Sequence, residues 1–312
     1  MKTPCPVIVG AGLAGLLAAH AWPTAKVLER SPQPAQGHRA LLRFRTDAVA
    51  RLTGAEFRRV LVRKGIWADG GFCSPTIALA NAYSLKTLGV TLGDRSIWNI
   101  DPVERFVAPE TFYADLLGAV ESRIEWGVDF AWDELRGEKV VSTAPLPETL
   151  AKLRLDDGEN LNFLRSPIYV QRGQVRGADV YQTVYFPGLR ETPLYRASIT
   201  GSTLIMEFAG RYGPNEAQRN EALALVDEVF CIDTPQGVVM EELASQRYGK
   251  IAPIDDARRK QLLFWLSQQH GIYSLGRFAI WKNILLDDVV NDIDVLKRLM
   301  KGGAYEQHKT ML

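Results

Sequence analysis

The sequence predicts an α/β protein in which a doubly wound parallel sheet is interleaved with an antiparallel sheet and helices. Three features carry this expectation. A short strand, Pro6 to Val9, runs straight into the glycine-rich turn Gly10-Ala-Gly-Leu-Ala-Gly15 and an alanine-rich helix from Leu16 to Trp22. Far along the chain, Glu138-Lys-Val-Val-Ser-Thr-Ala-Pro145 has the pattern of a buried strand that returns to the first sheet. Between Ser166 and Phe208, several segments alternate with period two, as antiparallel strands do.

Composition bounds the function. The 312 residues are 46% hydrophobic, enough for one large domain or two interleaved ones. With 37 basic and 36 acidic residues the net charge is +1, which argues against a strongly basic nucleic-acid binder. Cys5, Cys73 and Cys231 lie too far apart for a redox pair or zinc knuckle, and His20, His38, His270 and His308 show no metal spacing. No metal site is expected. The apolar stretch from Val7 to Trp22 contains three glycines and is stopped by Pro23, and no run reaches the ~20 residues of a membrane helix. We expect a soluble, cytoplasmic protein that binds no membrane.

The N-terminal unit has a specific physics. Gly10 permits the tight turn, Gly12 removes a Cβ that would block a pyrophosphate, and Gly15 lets helix and strand pack closely. The helix N-terminus offers free N–H groups to phosphate, and Leu13 and Ala14 of the turn are candidates for cofactor contact with the glycines. Lys26-Val-Leu-Glu29 reads as the next strand, and its acid stands 29 − 10 = 19 residues after the first glycine. That is close to the ~20-residue offset of a carboxylate that binds a ribose hydroxyl. The unit is a dinucleotide-binding Rossmann fingerprint, and at this point NAD and FAD both fit it.

The following residues separate the two. Regular βαβ units do not continue. Instead a loop follows Arg30, and Arg30, Arg39 and Arg43 are candidates for cofactor contact. Near the other end, Gly271-Ile-Tyr-Ser-Leu-Gly276-Arg277-Phe-Ala-Ile-Trp281-Lys-Asn283 precedes a helical pattern from Ile284 to Met300. These segments, with Glu138 to Pro145, resemble FAD-dependent oxidoreductases with a single Rossmann unit, of the amine oxidase and UDP-galactopyranose mutase type. The resemblance implies FAD as cofactor, with Gly276, Arg277, Trp281 and Asn283 beside the flavin and the backbone near Val128 beside the adenine. No second GxGxxG is present for a separate nicotinamide domain.

The expected FAD-binding Rossmann-like domain comprises residues 1–70, 100–150 and 270–312, and the substrate domain comprises 71–99 and 151–269. Within the latter, Ser166–Gln171, Asp179–Phe186, Tyr195–Thr200 and Thr203–Phe208 read as strands, and Asn215–Phe230 and Asp255–Gln269 as amphipathic helices. Lys250, Lys86 and Tyr248 are the catalytic candidates, because flavin oxidation of an amine needs a neutral lone pair and a held water beside the ring. Tyr83, Tyr169 and Tyr273 are candidates for an aromatic substrate slot. Arg58, Arg59, Arg63 and Lys64 form a local basic cluster, either a solvated helix face or a phosphate contact.

The expected function is oxidation of the C–N bond of an amine or amino acid. Segments such as Ile77 to Lys86 and Arg95 to Trp98 resemble small bacteriophage flavoproteins of thymidine hypermodification, which implies DNA carrying an amino-acid-modified thymine as a partner. A non-redox flavoenzyme of the sugar-mutase type and a non-catalytic FAD-binding module are the competing readings.

Overall fold

The structure is a computed structural model and describes residues 5–34, 41–93, 97–129, 132–135, 137–155, 161–188, 192–232 and 238–301. A five-stranded parallel sheet draws on both ends and the middle of the chain. Its order is Ile272–Ser274 (β15), Val140–Ser142 (β8), Val7–Val9 (β1), Val27–Glu29 (β2) and Ile124–Trp126 (β7). The strands are three residues long and largely apolar, as strands covered on both faces must be. Leu13–Ala21 (α1) and Leu286–Lys301 (α8) cover one face, where Leu16 and Leu17 share a core with Val289, Ile293 and Leu296. Leu146–Lys152 (α5) and Asp256–His270 (α7) cover the other through Leu146, Leu150, Leu262 and Leu266.

A second, ten-stranded sheet carries the rest. Along its main path lie Val238–Met240 (β13), Arg165–Val175 (β9), Thr203–Ala209 (β12), Leu194–Gly201 (β11), Val180–Tyr185 (β10), Arg58–Ala68 (β4), Val103–Val107 (β6) and Arg43–Phe44 (β3). Ala244–Ile251 (β14) adds to β9, and Gly71–Cys73 (β5) adds to β4. Every pairing is antiparallel except that of β10 with β4. The expected strands between Ser166 and Phe208 correspond to β9 to β12, and Thr200 pairs with Thr203 across a two-residue turn. Glu216–Phe230 (α6) begins at a capping box between Asn215 and Gln218 and covers the face bearing Leu204, Met206 and Phe208. On the opposite face, Ala80 and Tyr83 of Ile77–Leu88 (α3) pack against Ile168, Val170 and Tyr195.

Two expectations change. Residues 58–68 belong to the large sheet rather than to the parallel-sheet domain, as do β3 and β6. Arg58 and Arg59 also lie on a strand, not a helix, because Val60 and Val62 alternate inward while the charged residues face out. Among the described residues, no helix is long and apolar enough to cross a membrane.

Candidate active site

At the C-terminal edge of the parallel sheet, three glycines shape a cleft. Gly10 has φ +95°, and a Cβ there would fall 2.3 Å from Thr143 Oγ1. A Cβ on Gly15 would fall 1.8 Å from the Gly10 carbonyl oxygen, so only glycine fits. Thr143 fixes this turn by donating both its backbone N–H, at 2.9 Å, and its hydroxyl, at 2.8 Å, to the Val9 carbonyl. Gly12 is different: its Cβ position has no atom within 4 Å. Gly12 is also the N-cap of α1 and supplies no side-chain acceptor. The first-turn N–H groups at Leu13 and Ala14 thus have no side-chain cap, and an uncapped helix N-terminus is the arrangement that receives an anion.

The rim of this cleft follows from the neighbouring strands. Glu29 ends β2, where its carboxylate accepts the Ala11 N–H at 2.6 Å and the Ser31 N–H at 2.8 Å. Val128 donates its backbone N–H to the Glu29 carbonyl at 2.9 Å. Arg30 is exposed and lies 3.6 Å from Glu148. Arg39 falls outside the described residues.

The C-terminal segment meets the same helix end. Gly276 has φ +89°, and a Cβ there would stand 2.8 Å from the Ala14 Cβ. The chain then turns back on itself, with the Ile280 N–H bonded to the Gly276 carbonyl and the Lys282 N–H to the Arg277 carbonyl, each at 3.0 Å. Trp281 anchors this turn from within the core. Its indole N–H donates to the Ala252 carbonyl at 3.0 Å, and its ring packs 4.9 Å from that of Phe163, so it is a packing residue. Asn283 is exposed. Arg277 is half-buried, and its Nε, closed off from solvent, has no hydrogen-bond partner.

A polar cluster occupies the large-sheet face that carries Tyr195 and Glu207. Lys250 Nζ donates to Tyr83 Oη at 3.2 Å and stands 4.7 Å from the centre of the Tyr195 ring. Tyr195 is the extra residue of a β-bulge, since Leu194 pairs with Phe208 and Arg196 with Glu207. The bulge lets two consecutive residues serve one carboxylate: Tyr195 Oη donates to Glu207 Oε1 at 2.9 Å, and Arg196 Nη2 to the same oxygen at 2.7 Å. The Arg196 Nε completes the fork on Glu207 Oε2. Tyr185 packs edge-on against Tyr83 with centroids 5.7 Å apart.

The charges follow from burial and pairing. Burial pulls the Lys250 ammonium down to about 7, and Arg196 adds to the effect. Burial opposes the charge on Glu207, but Arg196 outweighs it and the carboxyl stays below its ordinary range. Burial also lowers Arg277, whose guanidinium lies within electrostatic reach of Tyr195, Arg196, Glu207 and Lys250. A cavity of about 470 Å³ lies further along the same strands, where Ile205, two residues before Glu207, forms part of its wall.

Of the expected substrate-side residues, the structure brings Lys250 and Tyr83 together. Lys86 is engaged elsewhere, donating to the carbonyls of Phe186 at 2.9 Å and Gly188 at 2.6 Å. Tyr248 donates its hydroxyl to Glu148 at 2.7 Å and packs beside Trp281. Tyr169 lies toward the α6 side and donates to the Arg211 carbonyl at 3.1 Å, while Tyr273 is buried in the parallel-sheet core. Arg43, expected at the cofactor, is a clamp on the large sheet. It donates to Thr200 Oγ1 at 2.7 Å, Thr183 Oγ1 at 2.9 Å, the Gln182 carbonyl at 3.0 Å and the Ile199 carbonyl, leaving little donor capacity for a ligand. Arg58 and Arg59 are ion-paired with Asp179 and Glu104.

No protein-family model matches the chain, and no curated protein matches it. Solved structures do. The flavin-dependent monooxygenase PieE, in complex with FAD and substrate, aligns with TM-score 0.55 at 15% identity over 96% of this chain and 58% of that one. A geranylgeranyl bacteriochlorophyll reductase-like protein from Thermoplasma acidophilum aligns with TM-score 0.53 at 12% identity, over 100% of this chain and 82% of that one. The chain has the fold of flavin-binding oxidoreductases. The p-nitrophenol 4-monooxygenase PnpA from Pseudomonas putida DLL-E4 agrees, with TM-score 0.52 and 12% identity over 98% of this chain and 82% of that one. The likeness is one of fold.

Proposed function

We propose that this chain binds FAD in the glycine-lined cleft and oxidises the C–N bond of an amine or amino acid. The residues fit the cofactor. Gly12 keeps a side chain out of the space a pyrophosphate needs, the start of α1 is uncapped, and Glu29 ends β2 at the offset expected of a ribose-binding carboxylate. FAD, when bound, supplies a two-electron acceptor for the C–H bond next to the substrate nitrogen, and dioxygen is the terminal oxidant.

The observation that carries the choice of substrate is Lys250, an enclosed amine between the Tyr83 and Tyr195 rings with its pKa lowered to about 7 by burial. Above that pH it is neutral. It then adds no second cation to an arriving ammonium and accepts a hydrogen bond from it. Tyr195 presents its ring to the same amine and Tyr83 its hydroxyl, which suits a cationic or aliphatic substrate group.

The test is the absorption spectrum of purified protein mixed anaerobically with free amino acids, with simple amines, and with DNA bearing an amino-acid-modified thymine. Bleaching of a bound flavin by any of these supports the reading, and the responsive arm identifies the substrate. Absence of flavin defeats it, as does a flavin that no amine reduces. Catalysis only after chemical reduction assigns the non-redox, mutase-type chemistry instead.

A further inference from the structure

We infer that Arg277 receives the carboxylate of the substrate, and that the substrate is therefore an amino acid rather than a simple amine. The inference rests on the amine-oxidising reading and narrows it. Among the described residues, Arg277 is the cation of the cluster whose buried Nε meets no acceptor, its guanidinium resting 5.6 Å from the centre of the Phe278 ring. Glu207, the carboxylate nearby, is already committed to Arg196 through a forked pair and to Tyr195 Oη. The guanidinium Nε of Arg277 is shut away from water with no acceptor. A charged donor enclosed without a partner is costly, and an arriving anion removes that cost.

The sum of charges points the same way. Arg196 and Arg277 are positive, Glu207 is negative, and Lys250 is neutral above pH about 7, so the cluster keeps a net positive charge. Such a site repels a bare alkylammonium. It accepts a zwitterion whose carboxylate neutralises Arg277 while its nitrogen lies by Lys250 and the two tyrosine rings. Gly276 makes this division of labour feasible, since it lies against Ala14 at the start of α1 while the side chain that follows it stands within electrostatic reach of the large-sheet cluster.

The experiment titrates the purified holoprotein with butyrate and with butyramide, its neutral counterpart, following the flavin absorption band. Wild type, Arg277→Met and Arg277→Lys are compared, with thermal melting as a check on folding. Butyrate is expected to perturb the spectrum at concentrations where butyramide does not. Arg277→Met is expected to weaken butyrate about tenfold or more at unchanged FAD affinity, and Arg277→Lys to restore part of the loss. Equal responses to butyrate and butyramide overturn the inference, as does absence of any response. Loss of FAD affinity in Arg277→Met with butyrate binding intact also overturns it, by assigning the guanidinium to the cofactor. Binding requires no turnover, so a protein that holds butyrate through Arg277 yet oxidises no amine sinks the functional reading and leaves the carboxylate site standing.

Discussion

Gly276 and Ala14, 262 positions apart in the chain, meet so closely that a Cβ on the glycine would lie 2.8 Å from the alanine Cβ. This contact closes the cleft between the two ends of the chain. Gly276→Ala meets two penalties, a left-handed φ of +89° and the clash itself. We expect a loss of about 1–3 kcal/mol in stability together with weaker FAD binding. Chemical denaturation and flavin fluorescence titration measure the two effects, and wild-type values for both would remove the contact from the site.

Gly12 and Gly15 are expected to behave differently although both belong to one motif. Gly12→Val places its side chain in open space, so the protein folds with near-normal stability but no longer takes up FAD. Gly15→Val drives a side chain into the Gly10 carbonyl and is expected to prevent folding. Circular dichroism and flavin content of the purified variants decide this. Normal FAD content in Gly12→Val contradicts the placement of the pyrophosphate.

Glu29→Ala removes the acceptor expected to bind the ribose. The loss of a charge-assisted hydrogen bond is about 1.5–3 kcal/mol, roughly ten- to a hundredfold in the FAD dissociation constant. Equilibrium dialysis checks it. Unchanged affinity would leave Glu29 only its role as acceptor for the Ala11 and Ser31 N–H groups.

Lys250 predicts two pH dependences. Amine oxidation should rise as pH passes upward through about 7, because the protonated lysine repels the substrate ammonium. The groups that face it are Tyr83 from α3, Tyr195 and Arg196 from β11, Glu207 from β12, and Arg277. The linkage has a definite sign. The unfolded chain keeps this proton up to about 10.4 while the folded chain releases it near 7, so between these values stability rises with pH. Lys250→Met should lose that slope and gain on the order of 4 kcal/mol over wild type at pH 6, relative to the difference at pH 11. Parallel slopes in denaturation series at several pH values would show that the lysine is solvated.

Much of the fold was legible because strand and helix periods are local properties. The glycine turn, the returning strand at Val140 to Ser142 and the run β9 to β12 each follow from patterns of a few residues. The strand at Arg58 to Ala68 was obscured by its charged outer face, which has the same composition as a solvated helix face. Arg43 was misplaced because a guanidinium has the same donors whether it meets a phosphate or a sheet. The cluster partners Tyr195, Arg196 and Glu207 come together only through a register shift between two strands, which no single segment encodes. Glu207 did carry a signal: it is the one acid in the otherwise apolar strand Thr203-Leu-Ile-Met-Glu-Phe-Ala209.

The placement of β15 sets a timetable for the protein's own assembly. Its pairing with β8 joins Ile272 to Val140, and α8 must then dock on a helix formed by residues 13–21. During synthesis β1 waits some 130 residues for β8, and β8 then waits some 130 more for β15, with that edge of the sheet open. Until that strand arrives, the edge of β8 is an unpaired template for other chains. Parallel pairings of this span close slowly, so the nascent chain passes through a long interval in which aggregation competes with completion of the sheet.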